Sequence, residues 1–137
     1  MKNIIVMAVA LFMLAASIIS RAQAGDASNF VGLWETIDPD DGSHQVLSIT
    51  HNGDGAFKLL IYDTYFNSCN GGRGLVQGTG KVSAEGTLKS DDFTITCFEN
   101  EDTETASVIF SRNSDGTLTR TSTASFFPLK IYHQTSK

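Results

Sequence analysis

Aromatic side chains are the residues of this chain whose types and spacing most suggest a binding function. Four of them are concentrated in one short stretch, residues 57–66, and others come from later stretches. They are interpreted in two ways: as the filling of a small β-domain core, or as the lining of an apolar pocket at the end of a barrel. The candidate ligand-binding residues are Phe57, Tyr62, Tyr65, Phe66, Phe93 and Phe110.

Catalytic and metal-binding motifs are not recognisable in the chain. His44 and His51 fall at opposite ends of one extended stretch, about 23 Å apart, so they cannot share a metal ion. The acidic turn at 38–42 lacks the spacing of a calcium loop, and the Gly-rich run at 70–74 lacks that of a phosphate-binding loop. Spacing alone leaves open a triad of separated Ser, His and Asp residues. We predict a protein that is not an enzyme and uses no cofactor or metal.

The N-terminal segment has the pattern of a cleavable signal peptide. A basic start is followed by sixteen mostly apolar residues at 4–19 and by small residues at Ala22 and Ala24. The alternative is an uncleaved anchor, but a spanning helix needs about 18–20 apolar residues. We predict a signal peptide at 1–24 and a single domain at 25–137. This domain is expected to be secreted or periplasmic, with no membrane span after cleavage.

The predicted mature domain is acidic. Residues 25–137 retain eight basic side chains against fifteen acidic ones, a net charge of −7. Because a negative field repels nucleic acids and anionic lipid surfaces, we predict no nucleic-acid binding. The charge instead suits a basic partner.

Two cysteines, Cys69 and Cys97, lie in the mature domain. In an exported chain such a pair predicts one disulfide bond. The alternative, reactive or metal-bound thiols, lacks a CxxC spacing and a third soft ligand. Closing a loop of 28 residues is worth about 3–4 kcal/mol in the chain-entropy model.

The rest of the chain predicts β-strands separated by turn residues. The expected strands are 30–37, 43–51, 56–66, 75–82, 87–89 leading to 93–98, 105–112, 117–123 and 126–133. The strand at 56–66 is apolar on both faces, which indicates a central strand or one that lines a cavity. We predict an all-β fold, an antiparallel up-and-down barrel of about eight strands with one disulfide, in preference to an open sandwich.

The opening strand carries Gly32-Leu33-Trp34 and resembles the start of lipocalin- and avidin-like barrels, the calycin group. The resemblance implies that Gly32 and Trp34 are structural, and that Trp34 closes one end of the barrel against a basic residue from a late strand. Arg120 and Lys130 are the two choices for that partner. The chain has no Thr-Asp-Tyr motif, and its single Trp argues against a biotin site. It is also similar to small secreted bacterial β domains that have no known function.

Together these features predict a secreted, non-catalytic barrel that binds a small apolar or aromatic molecule. The alternative is a protein-binding module, such as an inhibitor of a basic exported hydrolase like a lysozyme or a protease. A purely structural role at a cell surface also stays open. The open barrel end beside the disulfide-linked loop is where we expect a ligand.

Overall fold

The fold is known from a computed structural model that describes residues 28–39, 41–100 and 102–136. The signal peptide predicted at 1–24 lies outside the described residues. Within the described ranges, no helix reaches the length and apolarity that crossing a membrane requires. Short 3₁₀ turns occupy Ser28–Phe30 and Asn67–Cys69.

Eight antiparallel strands form the domain. They are β1 (Gly32–Ile37), β2 (His44–His51), β3 (Ala56–Phe66), β4 (Gly72–Val82), β5 (Leu88–Cys97), β6 (Thr103–Arg112), β7 (Leu118–Ser122) and β8 (Lys130–Ser136). Each strand pairs with its neighbour in sequence, and β1 also pairs with β8, which closes the barrel. The predicted all-β, up-and-down barrel is confirmed, and its architecture is compatible with a calycin-like fold. Cys69 and Cys97 form the predicted disulfide.

Three predicted strands differ from those observed by more than two residues or in number. β4 begins at Gly72 rather than at residue 75, and the two pieces predicted at 87–89 and 93–98 are one strand, β5, that contains a bulge. The last strand begins at Lys130 rather than at residue 126. Because Pro128 has no N–H to donate, the chain reaches β8 only after it.

The barrel interior is filled by alternating apolar side chains. In β3, Phe57, Leu59 and Ile61 point inward and are almost completely buried, whereas Lys58 and Tyr62 are exposed. Side chains from the other strands complete the same cluster, including Leu47, Ile49, Val76, Leu88, Phe93, Ile95, Val108, Phe110 and Leu118. Burial of this kind supplies most of the free energy that holds a small β domain together.

The two ends of the barrel differ. We call the end that carries the connections after β1, β3, β5 and β7 the mouth, and the opposite end the base. The turns after β2, β4 and β6 lie at the base, together with the 3₁₀ turn Ser28–Phe30.

Candidate functional site

The base of the barrel is closed by Trp34. Its side chain is fully buried, and its indole Nε1 donates a hydrogen bond to the carbonyl oxygen of Phe30 at 2.9 Å. The guanidinium of Arg112, the last residue of β6, lies 4.5 Å from the centre of the indole ring. The predicted basic partner therefore exists, but neither Arg120 nor Lys130 fills that place. Both are at the mouth.

Gly32 allows the chain to enter β1 at the base. Its φ of 141° lies in a region that L-residues with a side chain rarely adopt. The pairing of β1 with β8 shifts register between Leu33 and Trp34, directly after this glycine. The glycine therefore has a backbone role beside the tryptophan that it precedes.

Two buried cations at the mouth have separate partners. Lys130 Nζ forms an ion pair with a carboxylate oxygen of Asp38, and both side chains are largely buried. Arg120 is 2% exposed, and its Nη2 donates to the carbonyl oxygen of Pro128 at 3.1 Å. Its guanidinium also lies 5.3 Å from the ring centre of Phe127. The connection between β7 and β8 is thus held over the mouth by Arg120.

A chain of hydrogen bonds runs across the mouth from Arg120 to Asp63. Arg120 Nη1 donates to the Tyr132 hydroxyl at 2.9 Å, and that hydroxyl donates to Gln45 Oε1 at 2.9 Å. Gln45 Nε2 then donates to Asp63 Oδ2 at 2.5 Å, while the backbone N–H of Tyr65 donates to Asp63 Oδ1 at 3.2 Å. We call Gln45, Asp63, Arg120 and Tyr132 the mouth network. All four side chains are buried.

Burial dominates the titration of this network. It raises the pKa of the Asp63 carboxyl above its usual value, because the hydrogen bonds from Tyr65 and Gln45 only partly offset the loss of water. The negative charge of Asp41 raises it further. Burial also raises the pKa of Tyr132 to about 12, although the nearby Arg120 charge opposes the shift. The Tyr132 phenol therefore stays protonated at any physiological pH and can donate to Gln45.

A cavity opens at the mouth directly beside this network. Its aromatic lining comes from Tyr65, Phe66, Phe126 and Phe127, and its polar lining includes Asp63 and Arg120. Its free volume is about 40 Å³. Since one water needs roughly 10–15 Å³, the cavity has room for about three waters. It fits a small chemical group or the tip of a longer molecule.

The disulfide fixes one wall of this cavity. It joins Cys69, in the connection after β3, to Cys97 at the end of β5. Asn67 and Ser68, next to Cys69, line the cavity. Arg73, in the Gly-rich run at 70–74, lies 3.9 Å from the Glu99 carboxylate in an exposed pair. The cavity therefore lies beside the disulfide-linked loop.

The six predicted ligand-binding residues are divided among three places. Phe57, Phe93 and Phe110 are packed in the core, and Phe93 and Phe110 contact each other edge to face, with ring centres 6.0 Å apart. Tyr65 and Phe66 line the mouth cavity. Tyr62 is 45% exposed on the outer face of β3, so the six do not surround one pocket.

The mouth network was not predicted from the sequence. Its members lie at inward-facing strand positions. Gln45 is on the same face of its strand as the buried Leu47, Asp63 is on the same face as Ile61, and Arg120 is on the same face as Leu118. Polar residues in an apolar register are the signal that could have identified them, because burying such groups costs free energy unless they are paired. Among the described residues, no three His, Cys, Asp or Glu side chains are grouped to hold a metal ion.

The mouth is thus a small recess that combines aromatic walls with buried, hydrogen-bonded charges, on a rigid and disulfide-linked barrel. No protein-family model matches the chain, and comparisons with curated proteins and with solved structures gave no significant match.

Proposed function

We propose that this protein is an exported, non-catalytic binding barrel whose mouth cavity holds part of a small ligand with an apolar or aromatic portion. The observation that carries the proposal is the mouth network, which ends at the cavity. The apolar portion of the ligand would contact Tyr65, Phe66 and Phe126. Its polar end would reach the network.

The free-energy cost of burying the polar side chains of the mouth network supports a binding role. Removing charged groups from water costs several kcal/mol for each ion before pairing repays it, and apolar residues of similar volume often stabilise a fold as well or better. In the base half of the barrel, aliphatic and aromatic side chains predominate around Trp34, and Ser90 is a buried polar residue there. Polar groups are concentrated where a cavity opens, which is the arrangement expected of ligand sites.

The Trp34–Arg112 contact supports a place near the lipocalin- and avidin-like barrels. A Gly-x-Trp opening whose tryptophan packs on a late basic residue is what the resemblance to those families implies. The signal-like segment at 1–24 supports export to the periplasm or the medium. Both features suit a small extracellular ligand carrier.

A ligand screen on the mature domain tests this proposal. Native mass spectrometry and dye displacement would be run with fatty acids, haem and aromatic metabolites. We expect at least one class to bind, and Tyr65→Ala to weaken it by about tenfold. Tyr62→Ala is the matched control, because Tyr62 is equally exposed on the same strand but lies outside the cavity. Equal effects of the two variants, or no binding by any class, would refute the proposal.

A second candidate function, binding to a basic exported protein, is favoured by the surface around the mouth. Phe98 and Leu129, in the connections after β5 and β7, are 53% and 62% exposed. The carboxylates of Asp41, Glu99 and Asp102 lie in connections at the same end. Apolar side chains flanked by acidic ones fit a basic protein surface.

Binding to a basic lysozyme and to a basic protease tests this second candidate, with inhibition of each enzyme as the readout. We expect the affinity to fall as salt rises, because the attraction is between opposite charges. Phe98→Ala should weaken binding, whereas Ile109→Ala, an exposed apolar site on β6, should not. Salt-independent binding, or no binding, would exclude this function for these partners.

A further inference from the structure

Asp63 differs from the other buried carboxylate at the mouth. Asp38 is paired with Lys130, but no described cation lies within ion-pair distance of Asp63, whose side chain is 1% exposed. Its hydrogen-bond donors include Gln45 Nε2 and the Tyr65 backbone N–H, and the nearby Ser43 side chain also lowers its pKa. All three groups are neutral. Asp63 is therefore a buried carboxylate that forms no direct ion pair with a described side chain.

The charged groups around Asp63 come from several elements. Asp41, in the connection after β1, adds a second negative charge. Lys130 on β8 is engaged by Asp38. Arg120 on β7 is separated from Asp63 by two hydrogen-bonded side chains of the mouth network. Arg120 and Lys130 also line the cavity, together with Asp38, Asp41 and Asp63. With all five ionised the lining carries a net charge of −1, which favours a positively charged ligand group.

The cavity next to Asp63 has the shape and walls for a small cation. Aromatic faces attract a cation within about 6 Å of the ring centre, and Tyr65, Phe66 and Phe126 line this cavity. A volume of about 40 Å³ accepts an ammonium and its first methylene groups. It is far below the roughly 300–1,000 Å³ typical of a whole drug-sized ligand.

We propose that the mouth cavity binds the primary ammonium end of an unbranched alkyl chain, with the Asp63 carboxylate as the acceptor and Tyr65, Phe66 and Phe126 as the walls. The inference rests on the proposed binding function and names the ligand head group. The same ammonium chemistry occurs in a free alkylamine and in the lysine side chain of a basic protein.

Titration with n-butylammonium, followed by NMR, tests the inference directly. We expect saturable binding to the wild-type domain and no binding of n-butanol, which has the same chain without the charge. Tetramethylammonium should bind at least about tenfold more weakly, because it is too bulky for the cavity. Equal binding of n-butanol and n-butylammonium would overturn the inference.

The role of Asp63 is tested by D63N, with D91N as the control on the exposed outer surface of β5. We expect D63N to weaken n-butylammonium binding by about tenfold or more and D91N to leave it unchanged. If D63N does not fold, the carboxyl carbon of Asp63 is followed in the wild type. Its pKa should then fall when n-butylammonium is added, because a bound cation favours the ionised carboxylate. An unchanged pKa under saturating ligand would overturn the assignment.

Two further experiments are needed. The first distinguishes a lysine side chain from a free amine as the natural ligand, and the second tests the ammonium assignment separately from the binding function. A folded lysine-rich protein that displaces n-butylammonium indicates a lysine side chain as the natural ligand, and displacement only by free amines indicates a small molecule. If neutral aromatic ligands bind while n-butylammonium does not, the ammonium assignment fails and the binding function stands. If nothing binds, both fail.

Discussion

Arg112 lies over the indole ring of Trp34 with one guanidinium nitrogen, Nη1, buried and without a hydrogen-bond partner in the described structure. The contact with the ring face is thus the main interaction that offsets the burial of this nitrogen. A cation over an aromatic ring contributes about 0.5–2 kcal/mol, so we predict that Arg112→Met lowers the free energy of unfolding by about 1 kcal/mol. Urea denaturation measures this. Arg73→Met, in an exposed ion pair, is the control and should change stability little. An equal effect at both positions would contradict the prediction.

The Asp63 carboxyl makes stability depend on pH. Since its pKa is raised in the folded state, the folded protein holds this proton more tightly than the unfolded chain does. The stabilisation from Asp63 is therefore complete below the unfolded pKa and is lost as the pH rises through the folded pKa. We predict that the free energy of unfolding of the wild type, relative to that of D63N, decreases as the pH rises from the unfolded pKa to the folded pKa of Asp63. Urea denaturation of both proteins over a pH series measures it. A difference that grows with pH would show the opposite shift.

Gly78 and Gly80 of β4 allow the close contact between β4 and β5. A Cβ atom at Gly78 would lie 2.8 Å from Ser90 Oγ and 3.1 Å from Phe93 Cα, beside the bulge in this ladder. Because overpacking typically costs about 1–3 kcal/mol, we predict that Gly78→Ala destabilises the barrel by that amount. Thermal and urea denaturation measure it. Gln77→Ala, on the exposed face of the same strand, is the control. If Gly78→Ala is as stable as the wild type, β4 and β5 can accommodate a side chain at this position and the prediction is wrong.

The disulfide joins the connection after β3 to the end of β5, with 28 residues between the cysteines. In the chain-entropy model a loop of this length contributes about 3–4 kcal/mol. We predict that the Cys69→Ala, Cys97→Ala double variant loses that much stability. Hydrogen exchange should also show faster exchange of the amides at 67–72. Unchanged stability together with unchanged exchange would mean that the connection is held by its other contacts.

Most strands could be predicted from local pattern, and the main failure, at residues 126 and 127, has a non-local cause. The alternation of buried Phe57, Leu59 and Ile61 with more exposed neighbours was predictable because period-2 burial is intrinsic to a strand. Phe126 and Phe127 have strand-like side chains, yet they lie in the connection before β8. Phe127 packs on Phe93 with ring centres 5.1 Å apart. No short-range signal distinguishes an aromatic residue of a buried connection from one of a strand.

The candidate site was predictable only in part, for a different reason. The disulfide and the location of the mouth followed from the sequence, and two of six aromatic candidates, Tyr65 and Phe66, line the cavity. The pairings that build the site join distant residues: Lys130 contacts Asp38, and Tyr132 contacts Gln45. Such contacts depend on barrel closure between β1 and β8, which no single segment encodes.

Closure also divides the whole molecule into two functional halves. The base is closed by Trp34 with Arg112, and mostly apolar side chains fill the space between them and the middle of the barrel. The mouth carries the buried charges, the cavity and the disulfide-linked wall. All eight strands are paired on both sides, so the sheet has no free edge strand. The position of the chain ends is therefore not fixed by the sheet.

That closed pairing predicts that the chain tolerates new ends at the base. In a permuted chain, residues 114–136 would come first, followed by a Gly/Ser linker and then residues 28–113. The turn that is cut, between β6 and β7, lies at the base, far from the mouth. Leu33 and Ser136 are register partners, so a flexible linker of about eight residues, spanning roughly 15 Å, can join the old ends.

We expect this permuted protein to fold with the same disulfide and to retain ligand binding at the mouth, with a modest loss of stability. Circular dichroism, urea denaturation and n-butylammonium titration measure the three properties. The matched comparison is a chain opened between Asn70 and Gly71, inside the disulfide-linked connection that walls the cavity. It should fold less stably and bind more weakly, because the wall is then held only by Cys69–Cys97. If the chain opened at the base loses binding and the one opened at the mouth keeps it, the assignment of the site to the mouth is wrong.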